Sequence, residues 1–334
     1  MIKYSRKEIK LMHVLKNILI VTAIVLLSVT MLMAALNAGF RLLYRDFYKN
    51  AERDFLIPGL NSGFVPQGFE DTESGLLISG YMKNKSPSRI YVAEKDGKNA
   101  KCVELYYADG RAYTAHAGGV DVWGDYVYLT GDATTEVFLL SDLMDGDGTA
   151  TVIGEFDPGL DPAWCTVKDD YILMGSFANS ASDDYPPEPT EILPTPAGDT
   201  NVSLIKVFKL DKAAPLGIDP KPVAAISTGE KVQGLSFIDD KNLVLSTSYG
   251  LGSSQLIFHK IEESNIIITY PDKSGDIPLI YLDSSTVTRT VKAPPMSEEL
   301  VIRDGYVYIM NESACNKYLF GKFLGQYRCH KYKL

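Results

Sequence analysis

Apolar and polar positions alternate with period two along five stretches of this chain, each broken by a tight polar turn. In His116 to Asp132, HAGGVDVWGDYVYLTGD, Tyr126, Tyr128 and Thr130 alternate with Val127 and Leu129 after a turn at Gly124-Asp125. Alternation of this kind, in aromatic and β-branched residues around a glycine turn, predicts a β-hairpin. Four more copies follow the same plan. They are PQGFEDTESGLLISGY, turning at Ser74-Gly75; DPAWCTVKDDYILMGSF, at Asp169-Asp170; VQGLSFIDDKNLVLSTSY, at Lys241-Asn242; and PPMSEELVIRDGYVYIMNES, at Asp304-Gly305. Aligned on Leu76, Tyr126, Tyr171, Leu243 and Tyr306, the copies recur at intervals of 50, 45, 72 and 63 residues.

An all-β unit repeated at such a period predicts a β-propeller. Third strands read as SRIYVAEKDG, EVFLLSDLMDGDG, NVSLIKVFKLD and SSQLIFHKIEE, and fourth strands as CVELYY, ATVIGEF and KPVAAIS. A single blade cannot bury both faces, so blades must pack around an axis. Five blades are expected, with six left open. In the last blade YLFGKFLG is the candidate third strand, and ring closure would use an N-terminal strand within Phe55 to Val65.

The alternation is absent at the N-terminus. Ile18 to Leu36 carries no charge for 19 residues, long enough to span a bilayer, and Lys3, Arg6, Lys7, Lys10 and Lys16 precede it. The reading is an uncleaved signal anchor with the basic tail in the cytoplasm and the propeller outside. The expected organisation is therefore a basic tail over 1–17, a transmembrane segment over 18–36, a stalk over 37–54 and a propeller over 55–334.

Two insertions account for the long intervals. One spans Ala178 to Thr200, rich in proline and acids, and is expected as an exposed, mobile loop. The other, Glu262 to Ile277, lies between the third and fourth strands of the fourth unit and would lengthen them.

Net charge is −9 over 334 residues, which argues against a nucleic-acid partner. The four cysteines form no CxxC pair, so neither a zinc site nor a thioredoxin-like motif is indicated; Cys315 and Cys329 are read as either a disulfide or buried thiols. DLMDGDGT resembles a calcium loop but has Ala150 and Phe156 where a glycine and the final acid are required.

In a propeller the starts of the inner strands and the loops joining second to third strands share one end. That end collects Gln67, His116, Asp161, Trp164, Gln233, Glu298 and Glu312, and is the expected functional face. Gly68, Gly118, Gly119 and Gly234 are expected to let inner strands approach closely near the axis. Glycosidase chemistry needs paired carboxylates, and among the aligned inner-strand starts Gln67, His116, Asp161, Gln233 and Met296 only Asp161 is acidic.

The VPQG, HAGGV, VQGLSF and PPMSEEL segments resemble those of extracytoplasmic bacterial β-propeller proteins, similar to the broad group around strictosidine synthase, gluconolactonase and NHL-type propellers. The likeness covers Pro66 to Ser313. It implies six blades and, for gluconolactonase-like members, an axial calcium ion; the residues themselves predict no cofactor. Two readings follow. The first is a membrane-anchored module that binds a protein, glycan or small molecule on the face carrying Gln67, His116, Trp164 and Gln233. The alternative is a metal-dependent hydrolase or lactonase using Glu298 or Glu312 with His116.

Overall fold

A computed structural model of the chain describes residues 5–262 and 266–334, so Lys3 of the basic tail and Glu263 to Asn265 of the second insertion lie outside the described residues. The chain divides into two compact units that meet between Arg45 and Asp46. The first is one helix, Arg6–Leu43. At 1.5 Å per residue it is about 57 Å long, against about 30 Å for a hydrocarbon core. Its stretch from Lys10 to Leu43 reaches a mean hydropathy of 2.7, and its apolar side chains, Leu19 and Met31 among them, point outward. The expected segment 18–36 lies inside it.

The second unit is a five-bladed β-propeller. The first blade has the strands Phe64–Thr72, Gly75–Met82, Arg89–Ala93 and Lys101–Tyr106. The second has Val120–Trp123, Tyr126–Thr130, Thr135–Leu139 and Gly154–Phe156. The third has Pro162–Lys168, Tyr171–Ser176, Ser203–Leu210 and Ile218–Thr228. The fourth has Val232–Phe237, Asn242–Thr247, Ser254–Lys260 and Val287–Ala293. The fifth combines Ser297–Arg303, Tyr306–Asn311 and Arg328–Lys333 with Ala51–Leu56 from the other end of the chain.

Ring closure thus pairs Ala51 with Tyr332 and Leu56 with Arg328, antiparallel. The closing strand lies before most of the Phe55 to Val65 segment expected for it, and residues 51–54 of the expected stalk belong to it. Residues 45–50 form a short helix, Arg45–Asn50, that buries Phe47. YLFGKFLG is not the third strand; its Leu319–Phe323 part is helical, and the third strand is Arg328–Lys333. That later segment carries the alternation, burying Cys329 and His330 and then Tyr332.

Apolar clusters fill the seams between blades. Phe55, Phe69, Ile78 and Tyr308 join the fifth blade to the first; Ile90, Val103, Val127 and Phe138 join the first to the second. Trp164, Leu173, Val232 and Leu245 join the third to the fourth.

Two insertions depart from expectation. In ATVIGEF only Gly154–Phe156 is the fourth strand of the second blade, while Thr149–Thr151 runs parallel to the outer strand of the first. The described part of the second insertion forms a hairpin, Ile266–Asp272 with Gly275–Tyr281, and does not lengthen the fourth blade. It adds to the third, with Leu279 opposite Ala225. A buried ion pair from Lys206 Nζ to Asp272 Oδ1, 2.7 Å, fastens it there. The proline-rich insertion is largely exposed, as expected, but it is tied to the blades at a few buried points. It carries a small ladder, Leu193–Pro194 with Thr200–Asn201, and buries Asn179, Glu191 and Asn201. Its anchor is the Glu191 carboxylate, which accepts a 2.5 Å hydrogen bond from Ser176 Oγ. All four cysteines are free thiols.

Candidate functional site

The inner strands of four blades carry a register irregularity at the same end of the propeller. It falls between Pro66 and Phe69, Pro162 and Trp164, Val232 and Gly234, and Ser297 and Leu300. A β-bulge re-aims the side chain at the extra residue. Here the bulges bring Gln67, Ala163, Gln233 and Glu298 to one cavity of about 540 Å³ at the axis. His116, Asp161 and Glu312 line it too. Trp164 does not. The bulge that presents Ala163 turns the indole into the seam between the third and fourth blades, fully buried against Gly175, where a Cβ would sit 2.1 Å from the ring.

The loops between second and third strands supply what the strand starts lack. Tyr81, Asp132, Phe177, Tyr249, Lys317 and Tyr318 extend the wall, and Asp184 and Tyr185 come from the proline-rich insertion. The sequence reading places those loops on this face but singles out none of their aromatic residues, and Tyr81 lies in the second strand of the first blade. The only hint was an aromatic residue at or just after the end of several second strands.

Hydrogen bonds pair the polar groups before any ligand arrives. Gln67 Oε1 lies 2.7 Å from His116 Nε2, while Gln67 Nε2 donates to Pro66 O at 2.9 Å. The His116 backbone N–H donates to Asp132 Oδ1 at 3.1 Å, and its ring packs 4.8 Å from that of Tyr81. Tyr81 in turn donates its hydroxyl to Glu312 Oε1 at 2.8 Å and accepts from Lys317 Nζ at 2.6 Å. Lys317 Nζ is also 3.6 Å from Glu312 Oε1.

Desolvation by the walls lowers the His116 pKa below its ordinary value despite the Glu312 and Asp132 charges, so the ring is a neutral donor and acceptor. Glu298, 5% exposed, is held well above the ordinary carboxylate range, by burial first and then by the Glu312 and Glu299 charges. Burial therefore favours its protonated form, in which the carboxyl can donate.

Below the pocket, Glu299 braces the axis. Its Oε2 accepts from the backbone N–H of Phe69 at 2.8 Å and of Val120 at 3.0 Å, tying the fifth blade to the first and second. Burial raises its pKa well above the ordinary value against the pull of those two donors. Glycine at 119 leaves room for it, since a Cβ there would stand 2.6 Å from Glu299 Oε1 and from the Cys165 backbone nitrogen. Gly68 similarly faces Gly118 O at 2.3 Å from an added Cβ. Among the described residues no three His, Cys, Asp or Glu side chains converge to hold one ion. Glu299 Oε2 is already committed to two N–H donors, while its buried Oε1 has no hydrogen-bond partner among the described residues.

No family model matches the chain, and no curated protein does. Solved structures similar to it include a PQQ-bound aldose sugar dehydrogenase from Streptomyces coelicolor, 14% identical over 78% of each chain, TM-score 0.43. A glutaminyl cyclase from Myxococcus xanthus is 10% identical over 85% of this chain and 94% of that one, TM-score 0.43. A thermostable family-43 glycoside hydrolase is 12% identical over 76% and 85%, TM-score 0.43. The chain is a β-propeller protein. At such identities no activity carries over from these structures.

Proposed function

We propose that this chain is a membrane-anchored binding module whose propeller lies outside the cytoplasm and takes a neutral, polyhydroxylated ligand in the axial pocket. The observation that carries the reading is the internal pairing of the pocket's reactive groups. Gln67 and His116 satisfy each other, Glu312 is compensated by Lys317 and Tyr81, and burial favours the protonated form of Glu298. What remains for a ligand is a set of neutral donors and acceptors together with the Asp132, Asp161 and Asp184 carboxylates, beside the exposed faces of Tyr185 and Tyr249. Sugars present that combination of hydroxyl edges and apolar faces, and aromatic rings suit the latter. Asp132, Asp161 and Asp184 at the rim disfavour anions. The apolar helix supports the anchor, and Arg6, Lys7, Lys10 and Lys16, on the N-terminal side of its uncharged stretch 18–36, support the orientation.

The test is a melting panel on the detergent-solubilised chain with neutral sugars, sugar acids and polyamines. A ligand that binds only the native state raises the melting temperature by an amount that grows with the logarithm of its concentration over Kd. Neutral sugars should raise it and sugar acids should not. A rise with polyamines alone would refute the neutral-ligand reading.

One observation favours a second reading. Glu298 and Glu312 face one cavity in different surroundings, the first desolvated so that its pKa is raised and the second beside Lys317, and different surroundings are how paired carboxylates divide general acid and base roles. On this reading the chain is a hydrolase or lactonase of the gluconolactonase or strictosidine synthase-like type. Turnover of aryl glycosides or lactones, lost about 100-fold or more in Glu298→Gln, would support it. A calcium-dependent rise in melting temperature would favour its metal-dependent form.

A further inference from the structure

A second cavity, about 610 Å³, opens between the third and fourth blades and shares two wall residues with the axial pocket, Ser248 and Tyr249. Both volumes fall in the range of small-molecule sites, roughly 300–1,000 Å³. Tyr249 stands at the junction, 40% exposed, with its hydroxyl 3.2 Å from Ser182 Oγ. Its ring centroid lies 6.3 Å from that of Phe177 and 6.1 Å from that of Tyr185, so three rings form one wall along the passage from one cavity to the other.

The cleft is lined by uncharged hydrogen-bonding groups, among them Asn201, Thr228, Thr247, Ser253 and Gln255, over an apolar floor that includes Leu245 and Ile257. Its charged members are already engaged. Lys231 Nζ pairs with Glu230 Oε1 at 2.5 Å, and Asp199 Oδ2 accepts from the Ser284 N–H at 2.7 Å. His259 is buried there and bonded through Nδ1 to Thr286 Oγ1 at 2.8 Å; burial pushes its pKa down to about 4, so it too is neutral. A neutral chain with alternating apolar faces and hydroxyl edges matches this lining, and a polyanion would meet the Asp199 and Asp283 carboxylates, whose hydrogen-bond donors are all neutral.

We propose that the ligand site extends from the axial pocket past Tyr249 into this cleft, and that it takes a linear neutral oligosaccharide instead of a single sugar. The extension rests on the proposed binding function of the axial pocket. Gly229 offers the means to separate the two. It lines the cleft but not the axial pocket, and a Cβ added there meets no atom within 4 Å.

The experiment is calorimetric titration of the full chain in detergent with β-1,4-linked glucose and N-acetylglucosamine oligomers of one to six units. For the preferred series the hexamer should bind at least about tenfold more tightly than the monomer. Gly229→Phe should bring hexamer affinity down to that of the monomer and leave the monomer unchanged. Should Gly229→Phe melt well below wild type, Gln255→Trp, an exposed position in the same cleft, serves in its place. Equal affinity for monomer and hexamer, or a hexamer that ignores both cleft substitutions, overturns the extension and leaves the axial site standing. Absence of binding by every sugar overturns the axial reading and the extension with it.

Discussion

Replacing Glu299 with alanine removes the one acceptor shared by two inner strands. The backbone N–H groups of Phe69 and Val120 both donate to its Oε2, and both lie in the buried centre of the ring. A buried donor left without a partner costs about 1–3 kcal/mol, so two put the loss at about 2–6 kcal/mol. For a unit of this size that corresponds to a fall of about 3–10 °C in melting temperature. Glu299→Gln keeps an oxygen facing both donors, and because burial already holds the native carboxyl above its ordinary range, the amide replaces a group close to neutral. Its cost should stay within about 1 kcal/mol. The assay is thermal unfolding of the detergent-solubilised chain followed by near-ultraviolet circular dichroism. A Glu299→Ala protein melting with wild type would refute the bracing role. So would an equal loss in Glu299→Gln, since that would tie stability to the charge and not to the acceptor.

Truncation should reveal the closing strand: a chain starting at residue 46 keeps Ala51–Leu56 and should melt cooperatively, whereas one starting at 57 should melt much lower or aggregate, as size-exclusion chromatography would show. Stability should fall as pH rises from about 4.5 to 7. Burial raises Asp121, Glu136 and Glu191 each to about 7, so the folded state binds protons that the unfolded chain has already released. His259, held near 4, opposes this below about pH 6.5, but one histidine is outweighed by three acids. Melting should therefore be higher at pH 5.5 than at pH 8, and Glu191→Gln should flatten the slope by up to about 3 kcal/mol; a profile unchanged by that substitution would contradict the anchoring of the proline-rich segment. Gly175→Ala places a methyl 2.1 Å from the Trp164 ring and should cost about 1–3 kcal/mol in denaturant unfolding.

The propeller was legible because its hairpins repeat. Period two and a polar turn report only which residues face in and which face out, and five copies suffice to imply blades around an axis. What the pattern could not show is a one-residue shift in the inner strands. Alternation places Trp164 on the functional face, but the bulge at Ala163 reverses the parity and sends the indole into the seam. The same bulges deliver Gln67, Gln233 and Glu298 correctly to the pocket, since those positions hold the extra residue itself. The closing strand was misplaced for another reason. Ala51–Leu56 is half exposed and carries Glu52, Arg53 and Asp54, so its alternation is weak, and its partner lies at the far end of the chain. Proline content suggested a mobile segment at 178–200, yet a single buried carboxylate, Glu191, and the Phe177, Tyr185 and Tyr249 rings hold it against the blades. Charge composition gives no warning of an acid that will be buried.

The most direct test of the account is titration of one neutral sugar that raises the melting temperature against the wild-type chain and against Gln67→Ala and Tyr81→Ala. Gln67 and Tyr81 come from the two paired strands that open the first blade, and both contact His116 at the axial pocket. The account predicts saturable one-to-one binding by wild type and at least about tenfold weaker binding by each variant, with both still folded. Undiminished binding by both variants would place the ligand elsewhere and contradict the axial pocket as the functional site.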